Sequence, residues 1–240
     1  MKRYASIKIS YMLTAFFLGA LVLFSCSILG AVHAVSTAAA EMESLPTIVL
    51  DAGHGGEDGG AVGVNGIKEK DINLAIALAL EEKLTAVGFP VVMIRDTDTA
   101  VGNTELSTLA ERKRSDIQYR AQAVNEIGDC VLVSIHQNFF EQSQYSGAQM
   151  FYSPNNTRSA ELAECIRRAV VTKLQPDNKR ENKQAESRIY LLSHVEVPAV
   201  IVECGFISNP EEAELLSDSA YQQKMAKAVA DGIVSFCSAQ

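Results

Sequence analysis

Two histidines and two glutamates in this chain stand in short segments from which a metal-assisted hydrolase could be built. His54 lies in LDAGHGGEDGGAVG (residues 50–63), Glu69 in GIKEKDIN (66–73), His136 in LVSIHQN (132–138) and Glu203 in AVIVECGFISNP (199–210). Neutral imidazoles and a carboxylate suit Zn²⁺, and a catalytic zinc keeps three protein ligands and one open position. His54, Glu69 and His136 are therefore candidate ligands for one catalytic Zn²⁺. Glu203 would be the free carboxylate beside it, able to move a proton.

Taken singly, each residue has a plainer reading. His54 could be a polar turn residue. Glu69 falls in the charged run Lys68-Glu69-Lys70-Asp71 and could be a solvated helix start, where acids favour the dipole. His136 and Glu203 are harder to dismiss. Each ends an apolar run, and a polar group buried there needs a partner. Asn138, two residues beyond His136, is expected to orient ligands or substrate through its amide. Arg120 and Asn125 read as a salt bridge or a cap, and His194 as a surface residue.

These residues are far apart in the chain, so the elements between them must bring them together. Residues 46–51 read as a strand. From Lys70, the positions Ile72, Ile76, Ala79, Leu80, Leu84 and Val87 recur at helical spacing, and Gly88 closes the helix. Strands are expected at 90–96, 130–136, 147–152, 189–192 and 199–203, and helices at 111–127, 157–174 and the C-terminus. Polar loops fall at 97–110 and 176–187. Alternating strands and helices with near-continuous apolar strands predict a single α/β domain: a twisted, mostly parallel sheet with helices on both faces. In such sheets, sites form beyond the carboxyl ends of the strands, where His54, His136 and Glu203 all fall. Glycines crowd residues 53–66 and permit tight turns around His54.

Lys2, Arg3 and Lys8 are followed by an uncharged run from Ile9 to Val32 and by small-residue patterns at Val32-His33-Ala34 and Ala38-Ala39-Ala40. Residues 1–40 therefore read as a signal peptide or signal-anchor, with N-terminal membrane association and the remaining domain, 45–240, outside the cytoplasm. The formal net charge is −8. That balance argues against nucleic acid or anionic lipid as the main partner. Five cysteines without CxxC spacing read as structural thiols, since a domain of this size needs no staples.

In this order, the segments resemble the zinc-dependent N-acetylmuramoyl-L-alanine amidases of the type 3 family, from about Ile48 to the C-terminus. The GHGG segment, the acid before the first helix, SIHxN, the Gly147 strand and PAVIVECGFISNP carry the likeness. The resemblance implies that His54, Glu69 and His136 hold Zn²⁺, that Glu203 is the catalytic acid/base, and that the substrate is peptidoglycan. Gln137 departs from the small or apolar residue usual there, which would bear on the substrate groove. ERKRSDIQYRAQAVN and SGAQMFYS, with the single-domain layout, are similar to the germination-specific amidases acting in spore cortex. A secreted zinc peptidase acting on stem peptides and a non-catalytic wall-binding regulator are the rival readings, although no HExxH helix is present. An activating protein partner that completes the zinc site is also compatible with the sequence, with 97–110 and 182–186 as docking places.

Overall fold

The computed structural model describes residues 45–238. The expected leader, with Cys26, lies outside them. Six strands form one sheet in the order β2-β1-β3-β6-β4-β5. They are β1 (Thr47–Ala52), β2 (Val91–Met93), β3 (Cys130–Asn138), β4 (Gln149–Tyr152), β5 (Lys183–Gln184) and β6 (Ala199–Phe206). β1 pairs in parallel with β2 and β3, β3 with β6, and β4 with β5. Only the β4–β6 pair is antiparallel, so the expected mostly parallel sheet is observed.

The helices are α1 (Glu69–Ala86), α2 (Leu109–Ile127), α3 (Ser159–Lys173), α4 (Tyr190–His194), α5 (Pro210–Ser217) and α6 (Ser219–Cys237). Val49, Leu132 and Ile201 on one face of the sheet pack with Ala121 and Val124 of α2 and with Leu191 and Leu192 of α4. The other face is covered by α1, α3 and α6, which pack on one another and on the sheet. Both faces being covered explains why Ile48–Leu50 and Val131–Val133 are uniformly buried rather than alternating. Cys130, Cys165, Cys204 and Cys237 are free thiols, in line with their reading as structural.

The chain departs from expectation at 189–192. Its apolar run is the short helix α4, not a strand. A short apolar run does not distinguish the two by pattern. Here both neighbours of β6 are already β3 and β4, and the outer place beside β4 is taken by Lys183–Gln184, inside the segment read as loop. Leu191 and Leu192 instead bury against α2. The strand expected at 90–96 shortens to Val91–Met93 because Arg95 turns inward to serve the site described next. A helix the sequence reading did not place, α5, begins at Pro210 behind Asn209, whose side chain accepts from the Glu211 and Glu212 amides.

Candidate metal centre

β1 and β3 are adjacent and parallel at the place where the strand order changes direction, β2 lying to one side and β3, β6 and β4 to the other. This is the switch point at which open α/β sheets form sites. His54 follows β1, His136 lies near the end of β3, and Glu203 is the register partner of His136 on β6. Glu69 is the first residue of α1, brought back by the glycine-rich loop. One ligand atom each from His54, Glu69 and His136 lies within 4.8 Å of the others. His54 Nε2 is 3.2 Å from Glu69 Oε2, and His136 Nδ1 is 2.8 Å from Glu69 Oε1. The two imidazoles meet edge to face, 5.0 Å between centroids.

The backbone is shaped to permit this. His54 has φ 63°, a left-handed conformation that costs a non-glycine residue about 1–3 kcal/mol and persists only where the surroundings enforce it. Two buried guanidinium groups do so. Arg95 donates to the carbonyls of Ala52 (2.7 Å) and Gly53 (3.0 Å) and reaches Lys70 O at the start of α1 (2.9 Å). Arg120 donates to Ala52 O (3.0 Å) and His54 O (2.7 Å) while pairing with Asp51 and Asp116. Asp51 also accepts from Ser134. Burial works against the Asp51 charge, but Arg120 and Ser134 outweigh it and hold its pKa below the usual value. The salt-bridge reading of Arg120 is correct, and the same guanidinium also fixes the His54 backbone. Asn125 bonds to His194 O and accepts from Glu196 N, away from the site. His194 is exposed.

Glycine is required at two points. A Cβ on Gly53 would overlap the His136 ring. One on Gly60 (φ 68°) would come within 2.6 Å of Glu69 Oε2 and 2.7 Å of His54 Cδ2.

Around the three residues lies a set of orienting groups. Asp58 Oδ2 is 2.8 Å from His54 Nδ1, which leaves Nε2 facing Glu69. Lys113 and the Gly60 amide bond to the other Asp58 oxygen. Glu69 accepts from the amides of Ala61 and Gln137 and from the Asn73 side chain. Asn73 in turn donates to Gly53 O and accepts from Gln137. Gln137 is therefore an interior support for Asn73. Strand alternation turns it to the opposite face from His136, so it does not line a groove. Asp58 and Arg95 were missed in the sequence. The only local hint was Asp58 four residues beyond His54 within the glycine loop.

Electrostatics separate the carboxylates. Burial opposes ionisation of Glu69, but bonds from His136 and His54 outweigh it and hold its pKa far below the usual range. Burial likewise opposes charge on His54, yet Asp58 and Glu69 raise its pKa to about 9. Burial dominates at Glu203 and lifts its pKa to about 7, against a pull from His136. Glu203 Oε2 is buried and makes no hydrogen bond, an omission worth about 1–3 kcal/mol. A carboxylate left unpartnered beside a three-donor cluster fits a centre where a metal and a reacting group complete the coordination. Asn138 lies beyond a register irregularity that follows His136, half-buried at the same edge.

A sequence profile of the family described as N-acetylmuramoyl-L-alanine amidase (Amidase_3) matches residues 48–235. The chain belongs to that family. Its membership bears out the amide hydrolase expected from the four segments. The germination-specific N-acetylmuramoyl-L-alanine amidase of Bacillus subtilis (strain 168) is 35% identical over 189 residues, 79% of this chain and 78% of that protein. The CwlD amidase of Clostridioides difficile, solved in complex with the GerS lipoprotein, superposes with a TM-score of 0.78. It is 40% identical, with 81% of this chain and all of that one covered. The amidase AmiC2 of Nostoc punctiforme gives a TM-score of 0.66 at 28% identity, over 80% of this chain and 96% of its own. The chain thus resembles a germination-specific enzyme as well as the wider family.

Proposed function

We propose that this amidase hydrolyses the amide between the lactyl group of N-acetylmuramic acid and L-alanine in peptidoglycan, with His54, Glu69 and His136 holding one Zn²⁺. The observation that carries the reading is the three-donor cluster beside the unpartnered Glu203 carboxylate. Zinc suits two imidazoles and a carboxylate, and when bound it supplies Lewis acidity toward water and the scissile carbonyl.

The chain's own residues supply the rest. Asp58 holds His54 with Nε2 turned to Glu69, the kind of partner that sets a ligand's tautomer and orientation. Glu203, with a pKa of about 7, is matched to work as both base and acid near neutrality. Its Oε2 takes a proton from the attacking water and returns it to the departing alanine nitrogen. Asn138, at the same strand edge, is assigned to hold the substrate through its amide.

A role in spore cortex, where removal of the stem peptide precedes muramic-δ-lactam formation, is supported by the 35% identity to the germination-specific enzyme. We assign the catalytic domain to 45–240 and its action to the extracytoplasmic side, behind a signal peptide or signal-anchor in residues 1–40. No described helix is long and apolar enough to cross a membrane. A protein partner for this chain is suggested by the CwlD complex with a lipoprotein.

The test is digestion of peptidoglycan by the purified protein with and without zinc. New free L-alanine amino termini are expected, and they should vanish with chelator. Cleavage elsewhere in the stem would instead indicate a peptidase. Glu203→Ala should keep zinc and lose roughly 10²-fold or more in rate. Wild-type turnover by that variant would remove Glu203 from the mechanism.

A further inference from the structure

Resting on that amidase reading, we propose that Arg180 anchors a carboxylate of the substrate's peptide moiety, an acidic stem peptide lying on the β4 side of Glu203. The path from the metal centre to Arg180 is short. Gln149 on β4 is the register partner of Glu203 on β6, and facing residues of an antiparallel pair share one face with Cβ atoms about 5 Å apart. Gln149 is buried. Its Nε2 donates to Glu181 O (3.0 Å) and its Oε1 accepts from Arg180 Nη1 (3.3 Å). The guanidinium thus lies one strand and one hydrogen bond beyond Glu203. That reach suits the residue following L-alanine, since an extended chain advances about 3.3–3.6 Å per residue.

The guanidinium is held before any ligand arrives. Arg180 Nε donates to Ser146 O (2.7 Å), and its Cζ lies over the Phe206 ring, 4.4 Å from the centroid, with the Tyr145 centroid at 5.8 Å. The supporting segment is tied down in turn. Asn178 donates to Ala148 O and accepts from the Arg180 amide. A Cβ on Gly147 would strike Asn178.

Two of the five guanidinium N–H groups are used, and three remain in the fork that matches a carboxylate. No ion pair among the described residues includes Arg180, although the chain carries a net charge of −8. Glu212, the half-buried acid nearby, spends its two oxygens on the amides of Gly147 and Phe206. A cavity of about 600 Å³ opens here, lined by Tyr145, Ser146, Asn178, Lys179, Arg180 and Glu212 among others. That volume is in the range of small-molecule sites. Asp177 also lines it, so the Arg180 fork, rather than a uniformly basic surface, supplies the specificity.

The test uses the full zinc-loaded chain and two disaccharide–peptide substrates that differ only in whether the carboxylate of the residue after L-alanine is free or amidated. Wild type should favour the free acid by about tenfold or more in kcat/KM. Arg180→Ala should raise KM for the free acid by about tenfold with kcat within about twofold, and leave the amidated substrate unchanged. Arg180→Lys, which keeps the charge and loses the fork, should fall between them. Equal loss on both substrates, or loss that follows glycan length, would give this face to the sugar and overturn the proposal, as would no loss on either. A wild type inactive on both would count against the amidase reading. Calorimetry with the dipeptide L-alanyl-D-glutamate would then decide the subsite alone: weaker binding by Arg180→Ala supports it, equal binding overturns it.

Discussion

Asp58→Asn is the change that most directly separates a metal centre from a hydrogen-bonded cluster of polar side chains. The substitution keeps an oxygen able to accept from His54 Nδ1, now 2.8 Å away, and removes the negative charge. Loss of such a ligand-orienting carboxylate lowers metal affinity by about 10–100-fold, equivalent to roughly 1.4–2.7 kcal/mol. The pH of the assay decides whether this is visible. With His54 at a pKa of about 9, zinc competes with a proton at neutral pH. Removing the Asp58 charge also weakens that competitor, so the two effects partly cancel. Zinc affinity is therefore measured by chelator competition above pH 9, where the proton no longer competes. Lys113→Met is the control. Lys113 reaches the other Asp58 oxygen from a 44% exposed position, and exposed ion pairs contribute about 1 kcal/mol or less, so affinity should change by less than about fivefold. If Asp58→Asn and Asp58→Ala both bind zinc within twofold of wild type, His54 is not a ligand oriented by Asp58, and the proposed metal centre fails.

Other changes probe the frame around the centre. Gly53→Ala places a methyl where the His136 ring lies. Overpacking of this kind costs about 1–3 kcal/mol, so elemental analysis should show zinc lost while circular dichroism shows the fold retained. Arg120→Met leaves Asp51 charged and buried without its counter-ion and should destabilise by about 3–5 kcal/mol in denaturant titrations. The double change Asp51→Leu/Arg120→Met should recover much of that stability, but not zinc affinity, because His54 O still lacks its donor. Asp51 has its pKa lowered on folding, so the stability it contributes is fully present above its unfolded value of about 3.9 and is lost as pH falls through the folded one. The stability difference between wild type and Asp51→Asn should therefore shrink below about pH 4 in pH-resolved unfolding curves.

The pattern of apolar strands and helical periodicities was enough to place β1, α1, α2, β3, α3 and β6, because each is long and buries a continuous surface. His136 and Glu203 were legible as candidates because each ends such a pattern with a group that burial makes costly unless it has a purpose, whereas His54 and Glu69 stood out only through the segments around them. Short elements were not legible. Ile189–Leu192 has the composition of a strand, and its helical state depends on both edges of β6 being occupied. Lys183–Gln184 is a strand only because β4 offers it an unpaired edge.

The supporting groups were hidden for the same reason. Arg95, Asp58 and Arg180 look like ordinary surface charges in the linear chain, and Gln137 looked like a groove residue. Residue type and local period are properties of neighbours in sequence, so the sequence by itself determined the fold class and singled out the candidate reacting groups. Which carbonyl a buried guanidinium holds, which nitrogen of His54 faces Glu69, and which cation is left without a partner depend on contacts between residues as much as 68 positions apart. Only the tertiary structure decides those, because it alone sets distance and burial together.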